Sequence, residues 1–201
     1  MRKNLFFTAL LLAVVTLGLN AQKIKLTDGD PSVLKGEEKL KLVYTYDNLD
    51  VGKMTEADYI AKKREEANNR EPGTADKWEA SWKGDREENY EPKFEELLNK
   101  YLEGENLKAD KEFEDAKYTM VVHTDFIEPG FNVGVARRPA YIDATVNLIE
   151  TATGESVATI TVLKSPGADV MGFDFDSGYR IGEAYAKAGK EIGKLLQKKY
   201  L

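Results

Sequence analysis

Apolar and polar residues alternate with period two in several stretches of the chain and recur with a helical period in others. In "EKLKLVYTYD" (38–47), Leu40, Leu42, Tyr44 and Tyr46 share one face while Lys41, Val43 and Thr45 share the other, which predicts a strand with one side buried. "AKYTMVVHTDFI" (116–127) alternates in the same way, with Tyr118, Met120, Val122, Thr124 and Phe126 on one face. "AYIDATVNLIET" (140–151) and "SVATITVLKS" (156–165) are joined by a short glycine-containing connector, the pattern of a β-hairpin. "YEPKFEELLNKYLEG" changes period: Phe94, Leu97, Leu98, Tyr101 and Leu102 recur as on one helix face, Pro92 suits the first turn and Gly104 is placed to end it. The terminal "SGYRIGEAYAKAGKEIGKLLQKKYL" predicts the strongest helix, with Ile181, Ala184, Tyr185, Ala188, Ile192, Leu195 and Leu196 as its apolar stripe. A weaker helix starts at a Thr55 cap with Asp58 three residues on, and breaks at Pro72-Gly73.

Read in order, after a polar lead containing "TDGDPS" (27–32), these elements predict an α+β fold. It has one antiparallel or mixed sheet of about four strands with helices packed on one face. A long, charged helical insertion (55–115) follows the first strand, and a C-terminal helix closes the domain. Beside the apolar stripe of that last helix runs a second one of small residues, Gly182, Ala186, Gly189 and Gly193. Each glycine costs a helix on the order of 1 kcal/mol relative to alanine. The stripe therefore predicts a close approach, either of the sheet beneath the helix or of a partner helix.

Composition narrows the setting. Arg2 and Lys3 precede an apolar run from Leu5 to Leu19, and Leu19-Asn20-Ala21 offers a cleavage site, so residues 1–21 read as a secretory signal peptide and 22–201 as a single exported domain. The run is shorter than the ~20 residues that comfortably span a bilayer. The chain has no cysteine, which excludes disulfides, thiolate metal sites and a lipid-bearing N-terminal cysteine. A periplasmic or secreted location follows as the expectation. With 29 basic against 35 acidic residues the net charge is −6, which disfavours nucleic acid and anionic lipid as partners.

Candidate chemistry is sparse. "IEPGFNVGVARRPAYID" (127–143) has glycines and an arginine pair but matches neither phosphate-binding glycine pattern, and a strand rather than a helix follows it. It reads as a strand-to-strand connection in which Arg137 and Arg138 could grip a carboxylate or sulfate. "GADVMGFDFDSGYR" (167–180) carries Asp169, Asp174 and Asp176 but fails the calcium-loop template, and Asp176 or Ser177 reads as a helix cap. His123, the only histidine, shares a strand face with Asp125, without the cysteines or further histidines of a zinc site and without a serine nucleophile motif. No catalytic residue, cofactor or metal is expected.

Trp78 and Trp82 are the remaining candidates. Four residues apart on a helix, their indoles share one face, with Tyr90 close in sequence. They serve either as anchors for a protein or a sugar ring, or as the clamp that holds a poorly apolar segment to the core.

The residues "LKLVYTYD", "FEELLNKYL", "YTMVVHTDFI", "YIDATVNLIETATGESVATITVL" and "AYAKAGKEIGKLLQKKYL" together resemble the α+β domain of exported Gram-negative envelope proteins such as the curli-secretion lipoprotein and the amino-terminal domain of TolB. The resemblance is one of pattern and implies an envelope setting. The missing lipidation cysteine and the charged stretch 55–91 depart from it in the features that serve membrane attachment and pore formation, and no functional residue carries over. The expectation is an exported, non-enzymatic envelope protein that binds another envelope or secreted protein through Trp78, Trp82, Tyr90, Arg137 and Arg138. The alternative is a carbohydrate or small-ligand binder using the two tryptophans.

Overall fold

The structure, a computed structural model, describes residues 22–133, 135–167 and 176–201. The proposed signal peptide and most of the Asp169–Asp176 loop therefore lie outside the described residues. Ten strands and four α-helices follow in chain order: β1 (Lys23–Gly29), β2 (Lys39–Thr45), β3 (Asp50–Val51), β4 (Met54–Thr55), α1 (Glu56–Arg70), α2 (Ala75–Asp85), α3 (Glu91–Leu102), β5 (Lys108–Asp110), β6 (Tyr118–Glu128), β7 (Phe131–Asn132), β8 (Arg137–Arg138), β9 (Tyr141–Glu150), β10 (Ser156–Pro166) and α4 (Ser177–Lys199).

Eight of the strands form one mixed sheet in the order β1-β10-β9-β6-β2-β5, with β3 and β4 attached beside β6, while β7 and β8 pair separately. The expectation of about four strands is corrected to eight. Two physical reasons account for the difference. Strand β1 lies within what reads as a polar lead; at the sheet edge it pairs, among the described residues, with β10 alone, and its lysines face solvent. Strands β3, β4 and β5 are two or three residues long, too short to show a period.

The charged segment 55–115 has a clear role in this topology. Strand β2 runs parallel to both β5 and β6. Parallel neighbours require a crossover of a dozen or more residues, and α1, α2 and α3 supply it between β2 and β5. Thr55 caps α1 by accepting from the Asp58 amide at 3.2 Å and donating to its carboxylate at 2.9 Å. Helix α3 continues past Gly104 through a 3-10 turn and stops at Asn106, whose φ of 58° is left-handed.

The core lies between α3, α4 and one face of the sheet. Leu40, Leu42, Met120, Val122, Ala144, Val146, Ile160 and Val162 point inward, against Phe94, Leu98, Leu102, Ile181, Tyr185, Ile192 and Leu196. The small-residue stripe explains itself here. It receives a helix, but the helix is α3 of the same chain: a Cβ on Gly189 would stand 2.3 Å from the Phe94 carbonyl oxygen, and one on Gly193 would stand 3.0 Å from that of Leu98.

Candidate functional site

The tryptophan pair sits where α1 meets α2. Trp78 and Trp82 stack with ring centroids 5.9 Å apart, and Tyr59 of α1 packs against both. Trp82 is 3 % exposed, and its indole N–H donates to Glu56 Oε1 at 2.7 Å. Arg86 also donates to Glu56 and lies over the Tyr46 ring at 4.1 Å. Tyr90 is 1 % exposed and stacks on Tyr185, because a π-helical turn (Arg86–Tyr90) adds a residue to the helical phase and rotates Tyr90 inward. Its hydroxyl meets no hydrogen-bond partner among the described residues. Two of the three aromatic candidates are thus core residues. Trp78 alone stays half-buried, beside a shallow groove formed with Ala67, Thr74 and Ser81.

The other sheet face is half-exposed along its length. Lys25, Thr161, Thr145, His123 and Thr45 form a row across it, each directly opposite the next. His123 Nδ1 and Thr45 Oγ1 share a hydrogen bond of 2.8 Å, Asp125 Oδ1 lies 3.6 Å from Nε2, and Thr145 donates to Asp125 Oδ2 at 2.9 Å. A hydroxyl, an imidazole and a carboxylate in sequence have the form of a nucleophile with its base. The group lies on the half-exposed sheet face, where the neighbouring strand amides are engaged in the ladder.

The connection between β6 and β9 carries the hairpin β7–β8, with Phe131 opposite Arg138 and Asn132 opposite Arg137. Its root is held firmly. Arg180 of α4, 5 % exposed, donates to the Pro129 carbonyl at 3.2 and 3.3 Å. Gly130, at φ 63°, approaches the Arg138 carbonyl so closely that a Cβ would stand 2.4 Å from that oxygen. Its amide donates to Glu128 Oε1, and Arg138 donates to Glu128 Oε2, each at 3.2 Å. The tip is different in character. Phe131, Val133 and Val135 are 45, 64 and 98 % exposed.

Beneath the hairpin, Arg138, Pro139, Ala140, Tyr141, Lys164 and Pro166 line a cleft of about 360 Å³. Tyr141 stacks on Phe126 with centroids 5.4 Å apart. Of the arginine pair expected to grip an anion, Arg138 lines this cleft; Lys164 and Tyr141 join it there, and the sequence pattern does not show this because Lys164 reaches the cleft only through the β9–β10 register. Of the three aspartates in the 167–180 segment, Asp176 alone is described, and it caps α4 by accepting from the Gly178 amide at 2.7 Å. Among the described residues no group of three or more potential ligands gathers for a metal, and no helix is long and apolar enough to cross a membrane.

No protein-family model and no curated protein matches the chain. Among solved structures, a PelC dodecamer subunit from Paraburkholderia phytofirmans is similar at 13% identity and a TM-score of 0.41, over 88% of this chain and 96% of that one. A DUF330 protein from Xanthomonas campestris is 8% identical with a TM-score of 0.38, over 80% and 84% of the two chains. A Helicobacter pylori protein described as a neuraminyllactose-binding hemagglutinin homologue is 13% identical with a TM-score of 0.34, over 83% and 86%. All three TM-scores lie below 0.5.

Proposed function

We propose that this protein is an exported, non-catalytic binding protein of the cell envelope whose contact with a partner protein is made by the β7–β8 hairpin. The observation that supports this reading is the contrast within that hairpin. Its root is pinned by the buried Arg180, while its tip holds Phe131, Val133 and Val135 out in solvent. Exposed apolar groups on a firmly held projection favour association, since covering them releases hydration water without ordering a floppy segment. Trp82 and Tyr90, buried, hold the helical crossover to the core, so the reading that uses the tryptophan pair for a sugar rests on Trp78 alone and is the weaker one.

A photo-reactive amino acid at Val135 tests the proposal, with one at the exposed Glu65 of α1 as control. In envelope preparations, position 135 should give a discrete adduct that Phe131→Ser abolishes. Equal labelling from both positions, or none from 135, would remove the hairpin as the contact.

A further inference from the structure

The geometry points to a second, separate site: the cleft beneath the hairpin binds a carboxylate-bearing sugar residue of the uronic-acid class. Two cations reach it from different elements, Arg138 from β8 and Lys164 from β10. Glu128 takes one Nη1 donor of Arg138, which fixes the guanidinium and leaves the other donors for a ligand. The Lys164 ammonium has no acidic partner among the described residues. Two carboxylates stand close by, each held by hydrogen bonds: Glu128 accepts from the Gly130 amide and Arg138, and Asp143 accepts from the backbone amide of Lys164 at 2.6 Å.

Lys164 is also the residue most deliberately placed. Its φ of 52° is left-handed, a conformation an L side chain rarely adopts, and it sits in the register shift between Val162 and Ser165. A bulge of this kind re-aims a side chain out of the regular alternation, and here it turns a lysine toward the cleft wall.

The remaining walls select the class of ligand. Tyr141, supported by Phe126, and the faces of Pro139 and Pro166 offer apolar surface for the C–H face of a sugar ring. A phosphate would find neither a helix N-terminus nor a glycine nest among the lining residues. The volume of about 360 Å³ is in the lower part of the range for small-ligand sites, ~300–1,000 Å³.

Calorimetric titration of the purified protein with trigalacturonate tests this, against its methyl ester, tri-glutamate and sulfate. Trigalacturonate should bind, and the ester should bind at least about tenfold more weakly. Lys164→Gly and Arg138→Gln should each weaken binding about tenfold, the loss expected for one charge-assisted hydrogen bond. Lys164→Gly should do so without lowering Tm, because glycine relieves the strained φ, which separates loss of the ligand contact from loss of fold. Equal binding of acid and ester, tri-glutamate or sulfate binding as tightly as trigalacturonate, unchanged variants, or no binding would each overturn the assignment. Val135→Ser, at the 98 % exposed tip and outside the β7–β8 pairing, should leave the titration unchanged, so the sugar site and the protein contact stand or fall separately.

Discussion

Gly189 of α4 lies against the backbone of Phe94 in α3, so close that a Cβ would stand 2.3 Å from the Phe94 carbonyl oxygen and 3.2 Å from its Cα. No side-chain rotation relieves that contact, because both parties are main chain. Gly189→Ala should therefore cost about 2–4 kcal/mol by forcing the two helices apart. Gly84→Ala is the control: its Cβ would meet Glu88 Oε1 at an ordinary 3.6 Å, and the better helix former should leave stability unchanged or raise it by up to ~1 kcal/mol. Urea unfolding of the two variants distinguishes them.

The tryptophans should be separable by light. Trp78→Phe leaves Trp82, buried and hydrogen-bonded, so emission should be blue-shifted and poorly quenched by acrylamide. Trp82→Phe leaves Trp78 and should give redder, more readily quenched emission, together with a loss of about 1–3 kcal/mol as Glu56 loses its indole donor.

Two stacked tyrosines should respond oppositely to losing a hydroxyl. The Tyr90 hydroxyl is buried without a partner, so Tyr90→Phe should be neutral or stabilising by up to ~1 kcal/mol. The Tyr185 hydroxyl and Thr124 Oγ1 share a buried hydrogen bond of 2.5 Å, so Tyr185→Phe should cost about 1 kcal/mol or more. Thermal unfolding of both variants checks the sign.

Alkaline pH should unfold the protein through its tyrosines. Burial pushes the Tyr44, Tyr46, Tyr90 and Tyr185 phenols well above their ordinary value of 10.0, and pushes Tyr59 up to about 12. The folded state holds these protons more tightly than the unfolded chain does, so their stabilising effect is complete below about pH 10 and falls as pH rises beyond it. Phenolate absorbance near 295 nm should then rise together with loss of helical circular dichroism, as one transition.

Asp176→Ala should cost about 1 kcal/mol, since it removes the side-chain acceptor of the Gly178 amide at the start of α4. Differential scanning fluorimetry is enough to see it.

The strands with one face fully buried declare themselves in the sequence. Strands β2, β6, β9 and β10 alternate because helices cover one side and water the other. The edge strand β1 alternates too, but with lysines outward and only Ile24 and Leu26 inward, a signal easily lost beside "TDGDPS". The glycine stripe of α4 announces a close approach and cannot say by what; α3, ninety-odd residues earlier, is supplied by the crossover topology. Site residues follow the same logic. The spacing of Trp78 and Trp82 is legible as one helix face, whereas the inward turn of Tyr90 depends on a π-turn and the placing of Lys164 on a bulge, both of which break the periods that sequence reading relies on.

Strand β1 has a consequence for the order in which the molecule can assemble. Lys23 pairs with Leu163 and Gly29 with Ala158, so the first strand of the domain has no neighbour until β10 has been made. Loop closure over so long a separation comes late and slowly. For a chain that emerges N-terminus first, the lysines of β1 should discourage premature pairing, and its docking onto β10 should come among the last steps of folding.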